Sequence, residues 1–255
     1  QMEGVFIPAH EGNRFPFGEE AFPLNIPMSA PELLDEEPGS EFGFRIQSTL
    51  GSNDYSLSYF DGRDRSFSYV GMTDSMPSFF YRNTSVLGFD LVSFIGDFTN
   101  RFEIGYFSTE NDAESDMKTL NDASYIQFAG QVEYSTENDI MLTLQIIGSE
   151  ISEINGIITE DEFQHGMGTP FASFTDLGLS FSLSANYFDD ALELKGNTFI
   201  DLKDSQSMVG VSAKYSPMDN WKLNVSVSKF MGEEGTQFHE MEDFSHLKAG
   251  LEYHF

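Results

Sequence analysis

The chain has 255 residues, 26 of them Phe and 15% of them aromatic, which is more apolar surface than a disordered chain carries. Its 42 acidic against 13 basic residues leave a net charge of -29, which speaks against nucleic acid as a partner, because phosphate contacts are made mainly by Lys and Arg. There is no Cys, so disulfides, thiolate metal sites and a cysteine nucleophile are excluded, and no apolar run reaches the roughly 20 residues of a membrane-spanning helix.

Short strands are not subject to that last limit, because a spanning β-strand needs only about 9 to 11 residues and conceals its hydrophobicity in alternation. The opening "QMEGVFIP" carries no signal peptide, which implies a processed or trimmed start, and predicts a first strand. A Pro-rich stretch over residues 10–40 follows, with Pro16, Pro23, Pro27, Pro31 and Pro38, and cannot join a sheet. It is expected to be a long loop, either folded inward as a constriction with His10 and Arg14 as solute contacts, or packed silently outside. Alternation then predicts strands in "EFGFRIQST", "DYSLSYF", "TSVLGFDLV", "RFEIGYF", "SYIQFAGQVEY" and "DIMLTLQII".

The pattern sharpens toward the C-terminus. In "LGLSFSLSANY" Leu177, Leu179, Phe181, Leu183, Ala185 and Tyr187 take one face, with Gly, Ser and Asn on the other. "ALELKGNTFIDL", "SMVGVSAKY" and "NWKLNVSVSKF" repeat it, and "HLKAGLEYHF" ends the chain with Leu247, Ala249, Leu251, Tyr253 and Phe255 on one side. The tally is about twelve strands in a single domain over residues 1–255.

Connection lengths alternate. Short ones at 51–53, 96–100, 136–139, 189–190 and 217–220 are interleaved with longer ones at 10–40, 61–78, 109–122, 151–175 and 232–245, and a modest one at 203–206. Outer-membrane barrels show this parity, with tight periplasmic turns and longer outer loops. Tyr134, Tyr187, Phe188, Tyr215, Trp221, Tyr253 and Phe255 fall at the short-turn end, as an interfacial aromatic girdle does. The fold class expected is an all-β, transmembrane, antiparallel up-and-down barrel of about twelve strands, or the C-terminal part of a larger one.

The last strand, with an aromatic or apolar residue at every second position and a terminal Phe255, resembles the C-terminal signature of Gram-negative outer-membrane proteins. That resemblance implies the outer membrane and recognition of Phe255 by the barrel-assembly machinery. "EGVFIPAHEGNRFPFG" followed by "FGFRIQSTLGSNDYSLSYFDGRDR" is similar to the later part of an uncharacterised proteobacterial porin family, related in style to alginate-export porins. Those proteins are longer, which makes the C-terminal portion of a larger barrel the alternative to a barrel of about twelve strands, and no functional residue is carried over.

In such a barrel the polar strand faces line the interior and decide what passes. The residues assigned there are Glu3, Arg45, Arg82, Asp90, Glu103, Glu133, Glu193, Lys195, Asp201, Lys214, Lys222, Lys248 and Glu252. They form either opposed acidic and basic walls around a passage for a small solute, or an internal salt-bridge network that closes it. The acidic loops "PELLDEEPGSE", "STENDAESDMK", "SEISEINGIITEDE" and "GEEGTQFHEMED" suit a solvated surface. They could also hold divalent cations that bridge to lipopolysaccharide, although none has calcium-loop spacing.

No cofactor is expected, and no enzyme either, because His10, His165, His239, His246 and His254 lie in no nucleophile motif. His239 beside Glu240 and Glu242 is read as incidental rather than as a metal ligand. The function expected is a passive porin or channel for small polar or amphipathic solutes, with a closed structural or adhesive barrel as the alternative.

Overall fold

The computed structural model describes residues 1–13, 32–33, 39–73, 76–110, 122–136, 138–156, 159, 163, 165–168, 175–218 and 220–254. The strands are β1 (Met2–Ile7), β2 (Glu32–Leu33), β3 (Glu41–Leu50), β4 (Asn53–Arg63), β5 (Ser68–Thr73), β6 (Met76–Phe80), β7 (Asn83–Ile95) and β8 (Phe98–Glu110). They continue as β9 (Asp122–Ser135), β10 (Ile140–Asn155), β11 (Leu177–Tyr187), β12 (Leu192–Asp201), β13 (Ser207–Met218), β14 (Trp221–Met231) and β15 (His246–Tyr253). A single helical turn, α1 (Gln237–Glu240), precedes the last strand.

Twelve of these strands form one sheet in the order β1-β3-β4-β7-β8-β9-β10-β11-β12-β13-β14-β15, every neighbour antiparallel. The expected strand count and up-and-down order are met. Among the described residues β1 and β15 are the two edges and do not pair with each other. The remaining three form a separate small sheet, β2-β6-β5, within stretches that the alternation left as loops. They are absent from the sequence reading because strands of two, five and six residues, the longer two broken by Pro and Gly, show too few alternations to register.

Pairing register gathers the apolar residues on one face. Ile46, Leu57, Phe89, Ile104 and Phe128 form one cross-strand row, and Phe44, Tyr59, Leu87, Tyr106 and Ile126 the next. Leu144 pairs with Phe181, Val211 with Val227, and Val227 with Leu247. Among the described residues nothing packs over this face: Leu57, Leu87, Val211 and Leu247 are 52%, 51%, 57% and 72% exposed. A continuous exposed apolar surface of this extent is rare on a soluble monomer and marks a face that meets another apolar phase or partner.

The other face is polar toward the short turns and carries two apolar clusters toward the long connections. In the first, Tyr125 stacks flat on Phe107 with centroids 4.7 Å apart and planes 5° apart, and Phe163 and Ala123 complete the buried group. In the second, Ile147, Phe199 and Phe238 are buried together. A bulge between Ile151 and Glu153 of β10 shifts the alternation by one residue and aligns Ile154 with Ala123, so that both Ile151 and Ile154 pack on the first cluster.

The short turns use residues suited to reversal: Gly51 and Gly96 have φ of 64° and 59°, and Phe188, Asp189 and Asp190 also sit in the left-handed region. Among the described residues Tyr125 is the most enclosed of the apolar ones, at 0% exposure. Tyr125→Ala should therefore cost about 3–5 kcal/mol in urea unfolding; a loss below about 1 kcal/mol would contradict the packing described here.

Candidate functional site

The polar face collects nearly all the charged residues picked out as lining candidates. Glu3 is opposite Arg45, Asp90 opposite Glu103, Glu193 opposite Lys214 and Lys222 opposite Glu252. Arg45 Nε donates to Ser56 Oγ at 3.0 Å and its terminal nitrogen lies 3.4 Å from Asp90 Oδ2, while Ser56 Oγ donates to Asp90. Arg101, which the sequence reading did not pick, pairs with Glu133 at 3.3 Å. Lys195 pairs with Glu193, and Asn224 Nδ2 donates to Glu252 Oε1 at 2.8 Å. Among the described residues Glu3, Glu103, Lys214, Lys222 and Lys248 make no ion pair.

These groups are spread unevenly around the sheet. Asp90, Glu103 and Glu133 lie on consecutive strands β7–β9, whereas Lys195, Lys214, Lys222 and Lys248 lie one each on β12–β15. Exposed pairs of this kind contribute roughly 0–1 kcal/mol each to stability, so their weight falls on the local potential. A cavity of about 370 Å³ opens beside the acidic strands, with Ser58, Asp90, Glu103, Phe107, Gln127 and Gly168 among its lining residues.

Two of the picked residues do not line this face as open charges. Arg82 precedes β7 and is 3% exposed; its Nε donates to Asp64 Oδ2 at 2.7 Å, Thr84 Oγ1 donates to Asp64 Oδ1 at 2.6 Å, and its guanidinium lies 4.7 Å from the centre of the Phe163 ring. Asp201 is 1% exposed and closes the β12–β13 turn, accepting from Lys203 N at 2.8 Å, Asp204 N at 3.1 Å and Gln206 Nε2 at 2.9 Å. Both stand where strands meet loops, and there burial with satisfied hydrogen bonds replaces exposure.

His10 is likewise not free for a solute: its buried ring packs on Tyr81 at 4.7 Å, and Nδ1 lies 2.8 Å from Glu41 Oε1. Glu41 is clasped by Arg65, whose terminal nitrogens donate to Oε1 at 3.0 Å and Oε2 at 2.6 Å. Arg14 and Phe255 lie outside the described residues. So does most of the 10–40 stretch expected to fold inward.

A different connection has residues on the polar face. In the β10–β11 loop, Gly166 O accepts from Arg65 N at 2.9 Å and Ser66 N at 3.0 Å, and Met167 O accepts from the Tyr125 hydroxyl at 3.2 Å. A Cβ on Gly166 would lie 2.0 Å from Asp64 Oδ2, so only glycine allows this approach. His165 is wedged edge-on against Tyr125 and Phe163, with centroids 4.7 Å and 5.3 Å away, and its Nε2 is 3.0 Å from Ser149 Oγ.

Burial, reinforced by the Arg82 cation, lowers the pKa of His165 to about 4, so the ring is neutral at pH 7. Ser149 and His165 have the spacing of a nucleophile and its base. Ser149 is 7% exposed, and its contact with His165 ties the loop to β10 as a latch.

The aromatic residues over which these loops lie were missed because alternation was read for one apolar face only. Their signal is a doublet that fills both faces: Tyr59-Phe60, Tyr106-Phe107, Tyr125-Ile126 and Phe199-Ile200 fall in the loop-side half of their strands, and Ile146-Ile147 near the middle of β10. As for metals, among the described residues no group of three or more His, Asp or Glu is arranged to hold an ion, and His239 with Glu240 and Glu242 is no exception.

No family model matches the chain, and no curated protein matches it. Among solved structures it is similar to outer membrane phospholipase A from Escherichia coli, at 11% identity and a TM-score of 0.32, over 84% of this chain and 79% of that one. It is also similar to the outer membrane phospholipase dimer of Salmonella typhi with bound calcium, at 12% identity and a TM-score of 0.32, over 84% and 78%. At that level of likeness neither the activity nor the calcium named for those proteins transfers to this chain.

The His165 latch has a defined pH dependence. Its pKa is lower folded than the usual 6.5, so the unfolded chain binds the extra proton first; the contribution is complete above about pH 6.5 and is lost as pH falls toward 4. An NMR titration of the His165 ring should give a midpoint near 4. A midpoint at the ordinary value of 6.5 would mean that the loop does not bury it.

Proposed function

We propose that the twelve-stranded sheet closes by pairing β1 with β15, sits in a Gram-negative outer membrane, and acts as a passive channel for small polar or amphipathic solutes. The observation that carries this reading is the unbroken apolar face across the paired strands, backed by a face that is polar toward the short turns. Closure is demanded because an open edge in hydrocarbon leaves N–H and C=O groups unpaired at several kcal/mol each. The parity of short and long connections supports placing both sheet edges on the periplasmic side as they start and end.

Passage makes and breaks no bond, so the chain is not read as an enzyme and needs no cofactor. The charges on this face, with an acidic excess on β7–β9 and a basic excess on β12–β15 partly offset by Arg101, Glu193 and Glu252, orient polar solutes, and the aromatic residues near the loops give amphipathic ones an apolar contact. Lipopolysaccharide and loop-bound divalent cations are its proposed outer surroundings, and the barrel-assembly machinery, through Phe255, its route into the membrane. The packing of loop residues onto the polar face favours a second reading, a closed structural or adhesive barrel.

Planar-bilayer recording separates the two. A channel should show discrete conductance steps, and Arg45→Gln and Lys195→Gln should shift its ion selectivity toward cations; silence from correctly folded protein would leave only the closed barrel. Membrane placement is tested on the apolar face: Val211→Arg should destabilise the inserted protein by about 2–4 kcal/mol, as lipid-facing charge does near the bilayer midplane. A cost indistinguishable from zero would put that face in water.

A further inference from the structure

The β14–β15 connection, residues 232–245, turns back over the polar face. Thr236 caps α1, its Oγ1 accepting from His239 N at 3.4 Å and donating to Glu233 O at 2.8 Å. The turn presents Phe238, which is 8% exposed, to a socket made by Ile147, Phe199, Met208 and Phe230. The Phe238 ring meets Phe199 edge-on at 6.0 Å and Phe230 edge-on at 5.7 Å. Its backbone N–H donates to Gln206 Oε1 at 2.8 Å, while Gln206 Nε2 donates to Asp201 Oδ2 at 2.9 Å. Two neighbouring loops are thereby joined through one buried amide.

Each socket residue comes from a different strand, β10, β12, β13 or β14, and each occupies a position on the face that elsewhere in those strands carries Thr, Asn, Ser and Lys. A loop that merely covered a barrel mouth in water would need no apolar receptor on the inside wall. The exchange of polar for apolar residues occurs where Phe238 lands, and Gly232 permits the sharp return, since a Cβ there would lie 2.3 Å from Thr236 Oγ1.

We propose that Phe238 is the anchor of a plug that narrows the passage at its loop end and sets the size limit for solutes. Gln206 is a positioning residue that holds the anchor in place. The inference rests on the channel reading above and specifies what restricts it. Wild type, Phe238→Ala and Gln206→Ala are compared in planar bilayers and by liposome swelling with neutral sugars of increasing size.

Phe238→Ala should raise single-channel conductance roughly twofold or more and admit larger sugars than wild type, as removal of an apolar constriction does. Gln206→Ala should flicker between the wild-type level and the higher one, with the socket itself untouched. Heat-modifiable gel mobility reports folding, and if Phe238→Ala fails to fold, Gln206→Ala decides. Folded variants with wild-type conductance and sugar cut-off overturn the plug while leaving the channel intact. Absence of conductance in wild type and folded variants alike overturns the channel reading and the plug with it.

Discussion

Every structural feature described above depends on backbone hydrogen bonding across antiparallel neighbours. Each strand between the edges is paired on both sides, so its main-chain donors and acceptors are consumed by the ladder and its side chains are left to divide between two faces. Because that division has a period of two, a slip of one residue would carry Leu57, Leu87 and Val211 to the polar side and Asp90, Lys195 and Lys214 to the apolar one. Register is therefore fixed by side-chain chemistry as strongly as by the turns. In the barrel proposed here the same accounting extends to the last two edges, which have no water to satisfy them.

Much of this was legible in the residues. Strict alternation in "LGLSFSLSANY" or "NWKLNVSVSKF" has one structural meaning, and the sheet pairs these strands in chain order with Leu and Val on the apolar face. The charged positions Arg45, Asp90, Glu103 and Lys195 fall on the opposite face for the same reason. What could not be read were contacts between residues distant in sequence. Nothing local about Asp64 announces Arg82 and Thr84 as its partners, and nothing about Ser149 announces His165. The bulge in β10 defeats alternation outright, since past Ser152 the parity of inside and outside reverses. The burial of Arg82 and Asp201 could not be read either, because both stand at the ends of strands, where the chain is leaving the sheet and burial is governed by loops.

The polar face is divided along the strands as well as around them. Toward the short turns it carries Ser, Asn and charged side chains with few enclosed groups. Toward the long connections it carries stacked rings, two loop segments folded onto them, and a buried ion pair. Burying Asp64 and Arg82 is costly unless each carboxylate oxygen and guanidinium nitrogen is met, and here both Asp64 oxygens are. The two ends thus differ in kind: the turn end presents open polar groups, and the loop end encloses buried rings and a buried ion pair. A solute moving between them would pass from a dipolar surface to an aromatic one.

The seating of residues 165–167 has a mechanical meaning. Gly166 is bonded to Arg65 and Ser66 just beyond β4, while the adjacent His165 and Met167 are bonded to Ser149 on β10 and Tyr125 on β9. Neighbouring strands lie about 4.8 Å apart, so a flat sheet would separate β4 from β10 by roughly 19 Å. Three consecutive residues reaching both sides form a chord across an arc. Twist and coiling are soft modes of an antiparallel sheet, and a short tether of this sort sets how tightly it curls. The loop thereby acts as a gauge of curvature, holding the middle strands at one radius whether or not the outer ones have met.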